Sequence, residues 1–228
     1  MVQAVLFDAG GTLFRVRGSI GEAYARIATR YGVNLPAATI ESRFRGAFHH
    51  MPPLGFPGVP ETELPAHEYA WWKQLVAGVF AEVPVDDFDA LFRDLFDYFA
   101  QAQSWELFAD VHPTLIALQR RGLRLGVVSN FDGRLVGICE GLGLAGYFDT
   151  IVMSGRVGFA KPDPRIFAVA LARLGVAPMQ ALHVGDSEVE DVAGGRSAGV
   201  RALWLRRSAA RGHDTDTMHD LRSLLAVI

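Results

Sequence analysis

The sequence lacks the features of proteins that are secreted, span membranes or coat nucleic acids. Its 228 residues contain one cysteine, Cys139, so no disulfide forms within the chain, and no Cys/His cluster suggests zinc. No apolar run approaches a membrane span, and we expect no signal peptide, because the apolar start is short and no basic residues precede it. A net charge of −3 gives no general basic surface. We therefore expect a cytoplasmic protein without a nucleic-acid or membrane partner.

What the sequence does contain is an alternation of strands and helices. Short apolar runs that stop at small or polar residues predict strands, and Pro or Gly limits the helices between them. Strands are predicted over 2–7, 123–128, 150–153, 181–184 and 201–205, and a last helix is predicted from about Met218. Such alternation is typical of an α/β protein with a doubly wound, mostly parallel sheet.

The stretch between the first two strands is predicted to be helical. Helices are expected over 20–31, 36–50, 65–81 and 86–103, because apolar residues recur at helical spacing. Loops are predicted over 14–20 and over the Pro- and Gly-rich stretch 52–65. The domain hypothesis is therefore a core of residues 1–14 and 106–228, interrupted by an all-helical insert of residues 15–105.

The first strand ends abruptly at an acidic residue. Asp8 follows the apolar run, and Gly10 and Gly11 come directly after Ala9. In open α/β sheets ligands bind at the carboxyl ends of strands, and glycine lets the backbone approach them closely. A carboxylate at this place suits a nucleophile or an oxygen ligand for Mg²⁺. From this stretch alone, a strand, a tight turn and a capping Asp are an equally good interpretation.

Five more polar residues follow later strands. Ser129 and Asn130 end the second core strand, Lys161 precedes a helix, and Asp186 and Asp191 follow the strand 181–184. These strand ends share one edge of a parallel sheet, so we expect their side chains to meet in one crevice. Two acids, a hydroxyl donor and a fixed cation suit phosphoryl transfer, because positive charge and donors must surround the transferring group.

In this order along the chain, the motifs resemble those of the haloacid dehalogenase-like (HAD) hydrolase superfamily. The matches are Asp8-Ala9-Gly10-Gly11-Thr12, Ser129, Lys161-Pro162, and Gly185-Asp186 with Asp191. The insert after the first strand resembles the helical C1 cap of subfamily I. The pair Trp71-Trp72, after the Gly55-Phe56-Pro57-Gly58 loop, further resembles the subgroup around haloacid dehalogenase-like hydrolase domain-containing protein three. The resemblance implies a Rossmann-like core and a cap that opens and closes about the stretch 14–20.

The resemblance also implies roles for the residues of the site. Asp8 would be the nucleophile that forms an aspartyl-phosphate, and Ser129 and Lys161 would hold the phosphoryl oxygens. Mg²⁺ would be bound by Asp8, Asp186 and the backbone carbonyl of Gly10. Asp191 would orient Lys161 or metal-bound water from behind these ligands. Contacts to the substrate would come from Ala9, Gly10 and Asn130. The implied activity is an Mg²⁺-dependent phosphatase for a small phosphorylated molecule, as a monomer or a homodimer.

One position departs from the pattern of family phosphatases. These usually carry a second Asp two residues after the nucleophile as general acid and base, and here Gly10 stands there. Loss of general acid–base catalysis costs about 10²–10⁴ in rate. Two alternatives stay open: a 2-haloacid dehalogenase, which lacks that Asp and needs no metal, and a nearly inactive binding protein of the same fold. Asp186 argues against the dehalogenase, because a second acid repels Asp8 unless a cation lies between them.

Other conspicuous residues are interpreted as structural. His183 lies inside an apolar strand and is predicted to be a core histidine. Trp71, Trp72 and Phe80 have helical spacing and are predicted to pack the interior of the helical insert. The sequence carries no readable code for the substrate in this insert.

Overall fold

In a computed structural model of the protein, which describes residues 1–207 and 216–228, one parallel sheet forms the centre of the fold. Its strands, in spatial order, are β5 (Thr150–Met153), β4 (Arg124–Ser129), β1 (Ala4–Phe7), β6 (Ala181–Gly185), β7 (Arg201–Leu205) and β8 (Thr217–Met218). Every neighbouring pair in this sheet is parallel, which confirms the predicted α/β class. The order reverses at β1, so the carboxyl ends of β1, β4 and β6 adjoin one another.

Helices cover the sheet and fill the segment between β2 and β3. The α-helices are α1 (Ile20–Ala28), α2 (Ala37–His50), α3 (Leu64–Val79), α4 (Phe88–Ala100), α5 (Val111–Arg120), α6 (Arg134–Gly141), α7 (Ser154–Val157), α8 (Pro164–Leu174) and α9 (Gly194–Ser197). Short 3₁₀ helices span Thr29–Tyr31, Ala102–Ser104, Ala145–Tyr147, Pro178–Gln180 and Leu221–Ala226, and a π-helix spans Glu188–Ala193. None of the helices in the described ranges combines the length and apolar character needed to cross a membrane.

Strand β1 is buried on both of its faces. Val5 and Phe7 pack into a core that α5, α6 and the C-terminal 3₁₀ helix cover, whereas Ala4 and Leu6 pack into a second core under α8. Side chains of a strand alternate between faces, so a strand between two helix layers is apolar at every position. This double burial explains the unbroken apolar run that precedes Asp8, and it fixes where the acid emerges.

The segment of residues 20–104, called the helical segment below, has an apolar core of its own. Tyr24, Ile40, Val79 and Leu91 contribute to it from four different helices. The four predicted helices are present there, with ends shifted by a few residues. Phe80 packs in this core as predicted, whereas Trp71 belongs to a smaller cluster with Leu54 and Leu75.

Two local predictions are wrong. Residues Phe14–Val16 of the predicted loop 14–20 form strand β2, which pairs antiparallel with β3 (Trp105–Leu107). The predicted last helix from Met218 is instead the short strand β8 followed by the 3₁₀ helix Leu221–Ala226. Both strands have only two or three residues, too few to show a period, and each depends on a partner that lies far away in the chain.

Candidate active site

Asp8 emerges from the carboxyl end of β1 into the centre of the candidate site. Its backbone N–H donates to the carbonyl of Val184 in β6 (2.9 Å), which extends the sheet pairing by one residue. The carboxylate oxygen Oδ1 accepts hydrogen bonds from the Ser129 hydroxyl (2.9 Å) and from the Lys161 ammonium (2.6 Å). Burial of the Asp8 carboxyl group raises its pKa, and the positive charge of Lys161 partly offsets this rise. Oδ2 accepts no hydrogen bond from any residue that the structure describes.

The turn after Asp8 leaves the N–H and the carbonyl of Gly10 without a main-chain partner among the described residues. Leu13 and Phe14 donate to the carbonyl of Ala9, and the N–H of Gly11 donates to the carbonyl of Phe14. Gly11 has φ +81°, a left-handed conformation that suits glycine. Neither the N–H nor the carbonyl of Gly10 takes part in the main-chain hydrogen bonds of the described chain, so both remain available to a ligand.

Lys161 lies between two buried carboxylates. Its Nζ is 2.6 Å from Oδ1 of Asp8 and 2.6 Å from Oδ1 of Asp191, and the lysine is 3% exposed. Burial by itself lowers the pKa of Lys161, but the two carboxylates outweigh burial and raise the pKa, so the amine stays charged. Because two carboxylates hold it, this ammonium is a fixed positive charge directly beside the Asp8 carboxylate.

Asn130 joins the end of β4 to the Lys161 loop. Its side-chain amide donates to the carbonyl of Lys161 (2.9 Å), and its Oδ1 accepts from the N–H of Lys161 (2.7 Å). Both polar groups of Asn130 therefore hold the main chain of Lys161. The contact to a substrate expected for Asn130 remains a prediction.

Asp186 and Asp191 complete a group of three acids. Carboxylate oxygens of Asp8, Asp186 and Asp191 all lie within 4.8 Å of one another, a spacing that one cation can bridge. The Asp186 side chain lies where a Cβ on Gly11 would be, because such an atom would stand 2.1 Å from Oδ2 of Asp186. Packing around the carboxyl group, together with the charges of Asp8 and Asp191, raises the pKa of Asp186 to about 7.

Asp191 differs from the other two acids because both of its oxygens are already bonded. Oδ1 accepts from Lys161, and Oδ2 accepts from the backbone N–H of Ser187 (3.0 Å). Burial would raise the pKa of Asp191, but Lys161 and the hydrogen bond from His183 hold the pKa well below its usual range. Asp191 is therefore an anion that serves Lys161, whereas Asp186 is the acid left open to a ligand.

His183 is buried in the core, as predicted, and it also belongs to this arrangement. It is fully buried, and its Nε2 lies 2.8 Å from Oδ1 of Asp191. A carboxylate only accepts, so Nε2 carries the proton of this hydrogen bond. Nδ1 has no partner among the described residues, and Phe167 packs edge-on against the ring at 5.0 Å. The sequence did contain a sign of this contact. A polar side chain in a strand that is buried on both faces needs a hydrogen-bond partner, and the acids at the nearby sheet edge can supply one.

The helical segment is bonded to the core beside the site. The indole Nε1 of Trp72 donates to Oδ2 of buried Asp132 at 2.5 Å. Trp72 was predicted to pack only the interior of the helical segment, whereas this hydrogen bond connects it to a residue outside that segment. Glu68 accepts from the N–H of Gly133 (3.1 Å) and pairs with Arg156 (3.1 Å). These contacts hold α3 against the loop that follows Ser129.

A parallel sheet whose carboxyl edge gathers three acids and a buried lysine is the arrangement that the sequence motifs imply for a hydrolase of the HAD type. Residues 2–199 match the family of haloacid dehalogenase-like hydrolases, so the chain belongs to this family and is an enzyme that hydrolyses its substrate. It is 40% identical to haloacid dehalogenase-like hydrolase domain-containing protein 3 of Danio rerio over 228 residues, which cover 98% of this chain and 93% of that protein.

Other similar proteins carry phosphatase names. The chain is 40% identical to phosphoserine phosphatase of Thermus thermophilus over 130 residues, 55% of this chain and 50% of that protein. The solved HAD phosphatase of Thermococcus onnurineus superposes with a TM-score of 0.66 at 25% identity, covering 99% of this chain and 97% of that one. Solved structures of dehalogenases share the same fold, so the fold by itself does not choose between the two chemistries.

Proposed function

We propose that the protein is an Mg²⁺-dependent phosphatase that hydrolyses a small phosphorylated molecule through an aspartyl-phosphate on Asp8. The observation that carries this proposal is the Asp8 carboxylate, bonded on one oxygen to Ser129 and Lys161 and free on the other. The phosphatases among the similar proteins support the same chemistry. The alternatives are a dehalogenase and a binding protein with little turnover.

The free oxygen of Asp8 is the attacking atom in this proposal. Oδ2 forms a bond to phosphorus while the bond from phosphorus to the ester oxygen breaks, and the departing oxygen takes a proton from water. Lys161 and Ser129 stabilise the charge on the phosphoryl oxygens, as do the N–H groups of Ala9 and Gly10, neither of which donates to a main-chain carbonyl of the described residues. Water then attacks the aspartyl-phosphate, releases inorganic phosphate and restores the carboxylate.

The residues of the site fit a divalent cation. Three carboxylates lie within 4.8 Å of one another, and one lysine offsets only one of their charges. Because both oxygens of Asp191 are engaged, we assign the ligands to Asp8, Asp186 and the free carbonyl of Gly10. Bound Mg²⁺ would neutralise phosphoryl charge and help to align the phosphoryl group with Asp8.

The same acids count against a dehalogenase. A metal-free dehalogenase needs one ionised carboxylate, and here Asp186 adds a second charge that raises the cost of ionising Asp8. The pKa of about 7 at Asp186 reflects burial and this repulsion. A cation resolves the repulsion and serves a phosphate ester, whereas it adds nothing to attack on a carbon–halogen bond.

The test is phosphate release from a panel of phosphorylated metabolites, with Mg²⁺ or with EDTA, for wild type and Asp8→Asn. We expect Mg²⁺-dependent release that falls to background in Asp8→Asn, because an amide cannot form the acyl-phosphate. Asp97→Asn is the matched control, since Asp97 is an exposed acid on α4 of the helical segment. Phosphate release that survives in Asp8→Asn would refute the nucleophile, and metal-independent chloride release from 2-chloropropionate would establish the dehalogenase instead.

A further inference from the structure

A partly open cavity lies between the helical segment and the loop that follows Ser129. Its volume is about 70 Å³, and its walls include Tyr24, Trp72, Phe96, Trp105, Phe131 and Arg134. Phe131 stands two residues after Ser129, the hydroxyl of which donates to Asp8. Trp105 stands on β3, which pairs with the strand that continues the Asp8 turn. We call this cavity the aromatic chamber.

The walls of the aromatic chamber are almost wholly apolar. Apart from Arg134 and the hydroxyl of Tyr24, the lining side chains are aromatic or aliphatic. An apolar group that enters such a space leaves water at a gain, whereas each hydroxyl or charge that enters without a partner is penalised. The lining therefore selects against sugars and amino acids.

Arg134 does not make the aromatic chamber a site for a second anion. Its guanidinium pairs with the buried carboxylate of Asp132 at 2.6 Å and donates to the carbonyl of Phe96 (3.1 Å). The same group lies 3.9 Å from the ring centre of Phe96 and 5.0 Å from that of Trp72. Asp132 thus compensates the charge, and the guanidinium serves as a flat wall.

Tyr24 supplies one unused hydrogen-bonding group. The residue is 2% exposed, and its hydroxyl has no hydrogen-bond partner among the described residues. Its oxygen is not among the fully buried polar atoms that lack a partner in the described chain, so it borders the open space of the cavity, where an oxygen atom of a ligand can pair with it. One oxygen on an otherwise apolar group satisfies this requirement.

We propose that the aromatic chamber receives the organic part of the phosphate ester, and that this part is compact, uncharged and mainly apolar. The inference rests on the proposed phosphatase function. One water needs about 10–15 Å³ of such space, so 70 Å³ accommodates a group of roughly five or six non-hydrogen atoms, the size of one ring. Phosphoserine and sugar phosphates are therefore poor substrates, even though a phosphoserine phosphatase is among the similar proteins.

The test compares primary alkyl phosphates, so that leaving-group strength stays similar. Cyclohexylmethyl phosphate and glucose 6-phosphate share a six-membered ring and a CH₂–O–P link, but only glucose carries hydroxyls. We expect kcat/KM for cyclohexylmethyl phosphate and benzyl phosphate to exceed that for glucose 6-phosphate and phosphoserine by about 10²-fold, as unpaired polar groups in a buried site commonly cost. Equal values, or a preference for the polar esters, would overturn the proposal.

A variant that fills the aromatic chamber separates binding there from catalysis at Asp8. Val16 lines the cavity and is only half-buried, so Val16→Phe is chosen to fill the space. We expect KM for benzyl phosphate to rise at least about 10-fold, and the ratio of its kcat/KM to that for methyl phosphate to fall by a similar factor. Val136→Phe at an exposed position is the control, and Ile20→Phe replaces Val16→Phe if that variant fails to fold. Equal losses on both esters would refute the assignment.

Binding measurements keep this inference distinct from the proposed function. In calorimetry with wild type and Asp8→Asn, benzylphosphonate should bind more tightly than methylphosphonate, and Val16→Phe should abolish the difference. If no ester is hydrolysed but this difference is found, the phosphatase proposal fails and the aromatic chamber stands. If esters are hydrolysed without preference and the two phosphonates bind alike, the aromatic chamber fails and the phosphatase stands.

Discussion

The ammonium of Lys161 and the carboxylate of Asp8 form a buried ion pair with an Nζ to Oδ1 distance of 2.6 Å. The same nitrogen reaches Asp191 at the same distance. Lys161 is therefore both a candidate catalytic group and the counter-charge that lets two acids exist inside the protein. Activity and stability depend on one side chain here, and experiments must separate the two.

Lys161→Met should abolish turnover and also destabilise the fold. Removing one partner of a buried ion pair costs about 3–5 kcal/mol, which lowers the melting temperature of a chain of this size by roughly 10 °C. The double variant Lys161→Met/Asp191→Asn removes one uncompensated charge, so it should recover part of the melting temperature while turnover stays at least about 10²-fold down. Recovery of activity in the double variant would show that Lys161 acts only as a structural counter-charge.

His183 should matter for turnover through Asp191. Its Nε2–H holds the oxygen of Asp191 that also accepts from Lys161. His183→Leu removes this donor and should lower kcat by about 10–100-fold, the range typical of groups that orient a site from behind it. His183→Gln offers an amide donor at a similar reach and should restore most of kcat. If His183→Gln loses as much activity as His183→Leu although the two variants melt at the same temperature, the hydrogen bond to Asp191 does not account for the effect of His183 on turnover.

Asp186 should bind Mg²⁺, and in the absence of the metal its carboxylate should lower the stability of the fold. Calorimetry should show Mg²⁺ affinity strongly reduced in Asp186→Asn, because the carboxylate left open to a cation is gone. An Mg²⁺ affinity equal to that of wild type would refute the assignment of this ligand.

The pH dependence of metal-free stability tests the same carboxyl group. Its pKa is raised from 3.8 to about 7 on folding, so the folded state holds the proton more tightly. This contribution to stability is complete below pH 3.8 and is lost as the pH rises through about 7. In EDTA, Asp186→Asn should melt higher than wild type at pH 8 and equally at pH 4. Since Asp186 is partly exposed, screening limits the gain to about 1 kcal/mol, or about 2–4 °C.

Gly10→Asp should raise turnover on alkyl phosphates. The structure permits the change, because φ at Gly10 lies outside the left-handed region and no atom stands within 4 Å of an added Cβ. A carboxyl group there can protonate the departing oxygen, so we expect a gain of about 10²-fold on alkyl esters and less on p-nitrophenyl phosphate, whose leaving group departs as a stable anion.

Gly11→Ala is the contrasting control for this loop. Gly11 has φ +81°, and an added Cβ would stand 2.1 Å from Asp186, so this variant should lose Mg²⁺ affinity and stability.

The Gly10→Asp prediction also has a test in the wild type. Equal wild-type rates on alkyl and p-nitrophenyl phosphate would show that another residue already supplies the proton that Gly10 lacks.

Local patterns in the sequence determined the main elements and the edge of the sheet at which the site lies. The apolar runs before Asp8, Ser129 and Asp186 are buried on both faces, and such runs predict parallel strands without knowledge of their partners. Parallel strands place their carboxyl ends at one edge, so the residues that follow them were expected to meet. The structure brings those side chains within hydrogen-bonding or ligand distance of one another.

Only the tertiary structure decided which polar atoms are used up and which stay free. It engages both oxygens of Asp191, ties Asn130 to the backbone of Lys161, brings His183 to Asp191 and directs Trp72 at Asp132. It also pairs Phe14–Val16 with Trp105–Leu107 across the whole helical segment. Hydrophobic period reports the face that a residue buries, because burial is set by the residue's own element. A hydrogen bond between distant residues is set by distances of a few tenths of an ångström, which the packing of the whole chain determines.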